Sequence, residues 1–214
     1  SSKKQRKKLP RRSTRLLEVG AINTELLDAA AEQIVKEDGA VVGAKYKLEV
    51  RALDLHSMHH CIEEVDFMTI PLISPEDPGG RYDVIVCSMV LNCVTTPDKR
   101  GEMMTRLFHF LRPGGLCFLT IPKSCLTLSP YMDPDRFCKL LENIGLELQE
   151  TKDSPKVSFF LCRRSEQLPA PEVAAKPWRE QKVIRRGKKY RNDFAVTLTD
   201  LNVLGPGHGN EKET

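Results

Sequence analysis

Residues Tyr82–Met89 read Tyr-Asp-Val-Ile-Val-Cys-Ser-Met, and nothing else in the chain restricts the fold as much. From Val84 the run is apolar and β-branched, without polar alternation. Such a strand has no wet face, so it belongs in the middle of a parallel sheet with helices on both sides. Leu16-Leu17-Glu18-Val19-Gly20 is a second buried strand, Leu48–Leu55 a third, and Val65–Phe67 a short further one. The helical pattern covers residues 25–37, capped by Asn23 or Thr24 and stopped at Gly39, then 98–111 and 135–145. Pro75–Gly80 is a turn-rich loop. Arg112-Pro113-Gly114-Gly115 turns into a strand over Leu116–Ile121, and Leu146–Glu150 pairs with Val157–Cys162 as a hairpin across Lys152–Pro155. This alternation predicts an α/β fold: a doubly wound, mostly parallel sheet with an antiparallel terminal hairpin.

The ends of these strands hold the candidate site. In an open α/β sheet, ligands bind at the carboxyl ends of the strands. Gly20 closes the first strand and has no Cβ to block a close backbone approach. Asp54, at the tip of the next strand, is a candidate ligand contact or a turn or capping acid. Asp66 and Phe67 close the short strand, as ligand contacts or as a strand-end acid and a core aromatic. Glu18 and Ser88 sit at two further tips, and Leu55 adjoins Asp54.

A chain of 214 residues with 40% hydrophobic content fits one domain with appendages, taken as residues 16–164. Its seven cysteines are odd in number and form no Cys-x-x-Cys pair, which predicts reduced thiols, mostly buried, in an intracellular protein. His56, His59, His60 and Cys61 lack a second ligand pair, so no metal is expected. No apolar stretch approaches the roughly 18 residues needed to span a bilayer, and no signal-peptide pattern is present, so a soluble protein with no membrane partner is expected.

Charge is unevenly placed. Residues 1–15 carry eight Lys/Arg and no acid; residues 176–193 carry eight more against Glu180 and Asp193. Together these segments hold +14, so the remaining chain is net −10 against an overall +4. Two basic arms on an acidic body favour a nucleic-acid partner or a nuclear address over a solvated tail. The first arm, 1–15, and the segment after 165 (a linker, the second basic segment and a tail from Gly205) are read as appendages, with an edge strand over Phe194–Leu198. Trp178 within the second arm either stacks on a base or packs on the domain.

With these elements in order, the chain resembles the class I S-adenosylmethionine-dependent methyltransferases, whose Rossmann-like sheet carries the cofactor. The resemblance covers about 16–163 and rests on Leu-Glu-Val-Gly, Asp54, Asp66-Phe67, Tyr82–Ser88 and Leu111-Arg112-Pro113-Gly114-Gly115. A narrower resemblance is to the fungal 25S ribosomal RNA adenine-N(1)-methyltransferases. It rests on Leu-Leu-Glu-Val-Gly-Ala-Ile-Asn, Asp54-Leu55-His56-Ser57, Asp66-Phe67-Met68, Ser88-Met89-Val90-Leu91-Asn92-Cys93-Val94 and Arg191-Asn192-Asp193-Phe194-Ala195-Val196. It implies an enzyme of the nucleus and nucleolus, a monomer, acting on ribosomal RNA or a pre-ribosomal particle during ribosome biogenesis. Under it, Gly20, Asp54, Glu18, Leu55, Asp66, Phe67 and Ser88 hold S-adenosylmethionine, with Asp54 on the ribose hydroxyls and Asp66 on the adenine amino group. Asn92 is the candidate contact to the target base edge, or else a cap of the next turn.

The first turn has one glycine where relatives carry two or three. Gly20 and Asp54 are 34 residues apart, against a usual separation of about 20, with the excess assigned to a loop over Glu37–Lys47. The family's helical region before the first strand is missing here, so its substrate-binding role is expected to lie outside this sequence. The competing readings are a non-catalytic S-adenosylmethionine sensor that acts through a protein partner, and a small-molecule methyltransferase.

Overall fold

A computed structural model describes residues 13–35, 39–73, 78–166 and 176–199. Most of the first basic arm (1–12), residues 36–38, residues 74–77 with the first half of the 75–80 loop, the linker over 167–175 and the tail from 200 lie outside the described residues. The strands are β1 (Thr14–Val19), β2 (Gln33–Val35), β3 (Val41–Ala44), β4 (Leu48–Asp54), β5 (Glu63–Glu64), β6 (Tyr82–Ser88), β7 (Leu111–Pro122), β8 (Leu146–Asp153) and β9 (Val157–Arg164). The helices are α1 (Glu25–Ala31), α2 (Pro97–Phe110), α3 (Ser124–Thr127) and α4 (Pro134–Asn143).

Seven strands form one sheet in the order β5-β4-β1-β6-β7-β9-β8. The contiguous run from β5 to β7 is parallel, and β9 runs antiparallel to both neighbours. The chain steps outward from β1 to β4 and β5, then returns to β6 on the other side of β1. That reversal puts a crevice beyond the carboxyl ends of β1, β4 and β6. The apolar run of β6 lies mid-sheet, with Ile85 and Cys87 fully buried. Its one acid, Asp83, accepts the Arg15 backbone N–H (2.8 Å) and pairs with the Arg112 guanidinium. A buried carboxylate needs such partners, and Arg15 also lies 4.9 Å over the Tyr82 ring. Arg15 is therefore a structural part of the sheet, although the sequence places it in the basic arm.

Capping sets the two longer helices. The Thr96 side chain accepts the Lys99 N–H before Pro97, and Asp133 accepts the Arg136 N–H (2.7 Å) before Pro134. The inward face of α4 buries Phe137, Leu140 and Leu141, with Phe137 5.0 Å from Phe160.

Four expectations change. The helix expected over 25–37 ends at Ala31, and Gln33–Val35 pairs antiparallel with Val41–Ala44. The β-branched Ile34, Val35 and Val41 favour strand, Gly39 takes a positive φ of 83° between them, and α1 buries no residue that would extend it. The short strand expected over Val65–Phe67 falls instead at Glu63–Glu64 (β5), and Phe67–Thr69 is a 3-10 turn capped by Asp66. Arg112–Gly115 forms a bulge inside one long strand, β7. Phe194–Leu198 is not an edge strand. It crosses the first turn of α2, donating the Thr197 N–H to Pro97 (3.0 Å), and buries Phe194, Val196 and Leu198 in the main core, with Ala195 buried beside them. The packed body thus continues well past residue 164. Trp178, 3% exposed beneath the Arg136 guanidinium (4.3 Å), packs on the domain.

Candidate functional site

Register places the candidate residues together. Val19, the last residue of β1, pairs with Leu53 of β4 on one side and with Cys87 of β6 on the other. The next residues, Gly20, Asp54 and Ser88, therefore end three adjacent strands at one level, with neighbouring strands about 4.8 Å apart. A cleft of about 1150 Å³ opens above them. Gly20, Asp54, Glu18, Leu55, Asp66, Phe67 and Ser88 all line it. Asn92 does not. Its Nδ2 donates to Cys93 Sγ (3.4 Å), and α2 is capped by Thr96 rather than by Asn92.

Gly20 holds a φ of 78°, and its N–H donates to Leu53 (2.8 Å), tying the turn to the tip of β4. A Cβ at this position would lie 2.2 Å from Val90 Cγ2. Backbone and the post-β6 loop therefore close in where only a hydrogen fits. Asp54 Oδ1 accepts the His56 N–H (2.8 Å), and among the described residues Oδ2 accepts no hydrogen bond. Asp66 Oδ1 accepts the Met68 N–H (2.8 Å), which holds the 3-10 turn. The Phe67 ring is 4% exposed and packs 5.2 Å from Phe110, so it forms the core side of the cleft wall and is not a free stacking platform. Ser88 Oγ hydrogen-bonds Thr120 Oγ1 (2.9 Å).

Four contributors escaped the sequence: Met89, Ile22, Glu25 and Lys99. Met89 sits at a φ of 61°, held there by donation of its N–H to Thr120 O (3.0 Å); a non-glycine residue in this region stores strain of the kind found at ligand sites. Ile22, 84% exposed, and Lys99 complete the rim. Only the sheet register, which brings Thr120 beside Ser88, reveals the Met89 turn.

The cleft is acidic. Glu18, Glu25, Asp54 and Asp66 line it, against one lysine, Lys99. Burial, and then Glu25, push the Glu18 carboxyl above its ordinary value. This donor set suits a cation that also offers hydroxyls. The volume slightly exceeds the ~300–1,000 Å³ of small-molecule pockets, which leaves room for a nucleoside ligand beside a second flat molecule. Among the described residues no group of three or more His, Cys, Asp or Glu is arranged to hold a metal ion, and no helix is long and apolar enough to cross a membrane.

Residues 1–196 match the family model described as 25S rRNA (adenine(2142)-N(1))-methyltransferase, Bmt2. The 25S rRNA (adenine(2142)-N(1))-methyltransferase of Saccharomyces cerevisiae is 35% identical over 140 residues, covering 65% of this chain and 40% of that protein. The 25S rRNA adenine-N(1) methyltransferase of Schizosaccharomyces pombe is 30% identical over 152 residues, 69% of this chain and 52% of that one. The chain thus spans about half the length of these relatives, or less. The crystal structure of Burkholderia thailandensis 1,6-didemethyltoxoflavin-N1-methyltransferase, with 1,6-didemethyltoxoflavin and S-adenosylhomocysteine bound, is similar at TM-score 0.53 and 13% identity. That match covers 72% of each chain and is a likeness of fold.

Proposed function

The chain belongs to the Bmt2 family of 25S rRNA adenine-N(1)-methyltransferases, and on that premise we propose that it is the S-adenosylmethionine-binding, catalytic portion of such an enzyme. Its substrate is an adenine of large-subunit rRNA, presented on rRNA or a pre-ribosomal particle in the nucleolus. The observation that carries this reading is the shared level of Gly20, Asp54 and Ser88 at the switch point of the sheet.

When bound, the cofactor supplies a methyl group on a sulfonium cation. The Gly20 turn gives its chain room against backbone, and Asp54 Oδ2 is available to its ribose hydroxyls. Glu18 and Glu25 match its ammonium charge. Leu55, 59% exposed on the rim, covers apolar surface, while the Asp66 turn faces the nucleobase. Ser88 lies at the floor beside the central strand. Adenine N(1) is neutral and has an in-plane lone pair, so it would need no prior deprotonation to accept the methyl group, the carbon–sulfur bond breaking as the sulfonium leaves as a neutral thioether. The residues of the cleft then need only hold and desolvate both partners. The methylated base is a cation, which four carboxylates tolerate better than a basic pocket would. Because N(1) is paired inside a duplex, the base enters single-stranded or flipped.

The test is calorimetric titration with S-adenosylmethionine, followed by incubation with 25S rRNA and mass spectrometry of its adenosines. Tight binding with appearance of 1-methyladenosine is expected. Binding without transfer to any rRNA adenine would replace the enzyme by a cofactor sensor, and absence of binding would remove the site.

A further inference from the structure

The second basic segment, which the sequence presents as an arm appended to the domain, is folded at the same end of the strands as the cleft. Helix α3 follows the carboxyl end of β7, and the residues after α3 receive the segment. The Ile184 N–H donates to Pro130 O (2.8 Å), and the Asn192 N–H donates to Leu128 O (3.0 Å). Between these bonds the Arg185 guanidinium turns inward to the carbonyls of Leu126, Ser129 and Met132. Both feet of a loop are thus pinned to one short stretch of backbone. Its tip turns at Gly187, where the Tyr190 N–H donates to Gly187 O (3.1 Å). Lys182, Arg186, Lys188, Lys189 and Arg191 are exposed along it, and residues 181–191 contain no acid.

A buried arginine ties this loop to the cleft. Arg100 is 7% exposed; its Nε donates to Val94 O (2.9 Å) in the cleft wall, and its Nη1 donates to Ala195 O (3.0 Å) just beyond the loop. Its guanidinium also stacks 5.0 Å over Phe194. A second link runs from Asn192 Nδ2 to Cys125 Sγ (3.8 Å). The cleft wall at Val94 and the stretch just past the cationic loop therefore share one buried arginine.

We infer that the 182–191 loop is a preformed phosphate grip, holding the RNA strand beside the cleft so that one base enters while its flanking phosphates stay on Arg186, Lys188, Lys189 and Arg191. Such contacts set position without reading sequence, and a flipped nucleotide needs its backbone held. RNA fits better than an acidic peptide, because the cations are clustered on a rigid turn beside a pocket sized for a nucleoside plus a flat base. The inference rests on RNA being the substrate, and it names the element that meets it.

The test is the quadruple variant R186Q/K188Q/K189Q/R191Q in the whole chain. Anisotropy is read with a labelled single-stranded RNA of about 12 nucleotides across about 50–200 mM salt, beside calorimetry with S-adenosylmethionine. Each phosphate contact contributes about −0.7 to the slope of log affinity on log salt for single strands. The variant is expected to bind RNA at least about tenfold more weakly, with the slope shallower by about 1.5–3, at unchanged cofactor affinity and melting temperature. An unchanged affinity and slope would overturn the grip while leaving the methyltransferase reading standing. Loss of poly-glutamate binding with RNA binding intact would overturn it in favour of a protein contact. A parent chain that binds RNA steeply yet transfers no methyl group would support the grip and remove the enzyme reading.

Discussion

Replacing Gly20 by alanine tests the turn on which the cofactor site depends. Two costs can be read from the structure. An L-residue at a φ of 78° is disfavoured by about 1–2 kcal/mol. The added Cβ would meet Val90 Cγ2 at 2.2 Å, well inside ordinary carbon–carbon contact of about 3.5–4.0 Å. Relieving that overlap requires an off-rotamer valine or a backbone shift, costing about 1–3 kcal/mol. The expected total is about 2–5 kcal/mol, together with at least tenfold weaker S-adenosylmethionine binding as the turn retreats. Val90→Ala alone, at a half-buried site, costs about 1 kcal/mol. In the double variant the overlap vanishes and the φ penalty remains, so the two changes should couple favourably by about 1–3 kcal/mol. Denaturant unfolding followed through Trp178, the single tryptophan of the chain and 3% exposed, gives the free energies; calorimetry gives the affinities. A Gly20→Ala protein within about 0.5 kcal/mol of the parent, or strict additivity with Val90→Ala, would show that the turn is not closed as described.

Asp54→Ala should weaken S-adenosylmethionine binding by roughly 1.5–3 kcal/mol, the range for charged hydrogen bonds, and Asp54→Asn, which keeps the bond to His56, should separate charge from turn geometry; a loss under twofold would exclude the ribose role. Glu18 has a raised folded-state pKa, so its contribution favours the fold at low pH and is lost as pH rises through that value. Glu18→Gln should therefore raise the melting temperature at neutral pH, with the gain fading near pH 4, while weakening binding of the cationic cofactor; calorimetric scans at both pH values check the sign. Deleting residues 1–12 should leave stability and cofactor affinity intact and lower RNA affinity, whereas deletion through Arg15 should also destabilise the fold, because that residue holds Asp83. Equal melting curves for the two deletions would contradict the role given to Arg15.

Hydrophobic runs ending in Gly20, Asp54 and Ser88 marked three strand tips correctly, because a buried parallel strand announces itself and its end. That the three share one level is a property of register, which periodicity does not encode. Val65-Asp66-Phe67 looked like a strand because two apolar residues flank an acid, but Phe67 gains its burial from a 3-10 turn against Phe110. The apolar spacing of Phe194–Leu198 did signal burial; what it could not name was the partner, a helix end rather than a sheet edge. Arg15 and Arg185 count as surface charge in any composition, and only packing shows one over the Tyr82 ring and the other on backbone carbonyls.

Arg100 has a consequence for biosynthesis. Chains emerge from the ribosome amino terminus first, so the residues of β9 are made before Phe194–Leu198. Until those residues arrive, the guanidinium lacks Ala195 and the flank of α2 is bare. The pocket wall is thus finished by almost the last of the described segments to be translated. A polypeptide ending before Phe194 would carry the proposed cofactor residues without the bond that joins Arg100 to Ala195.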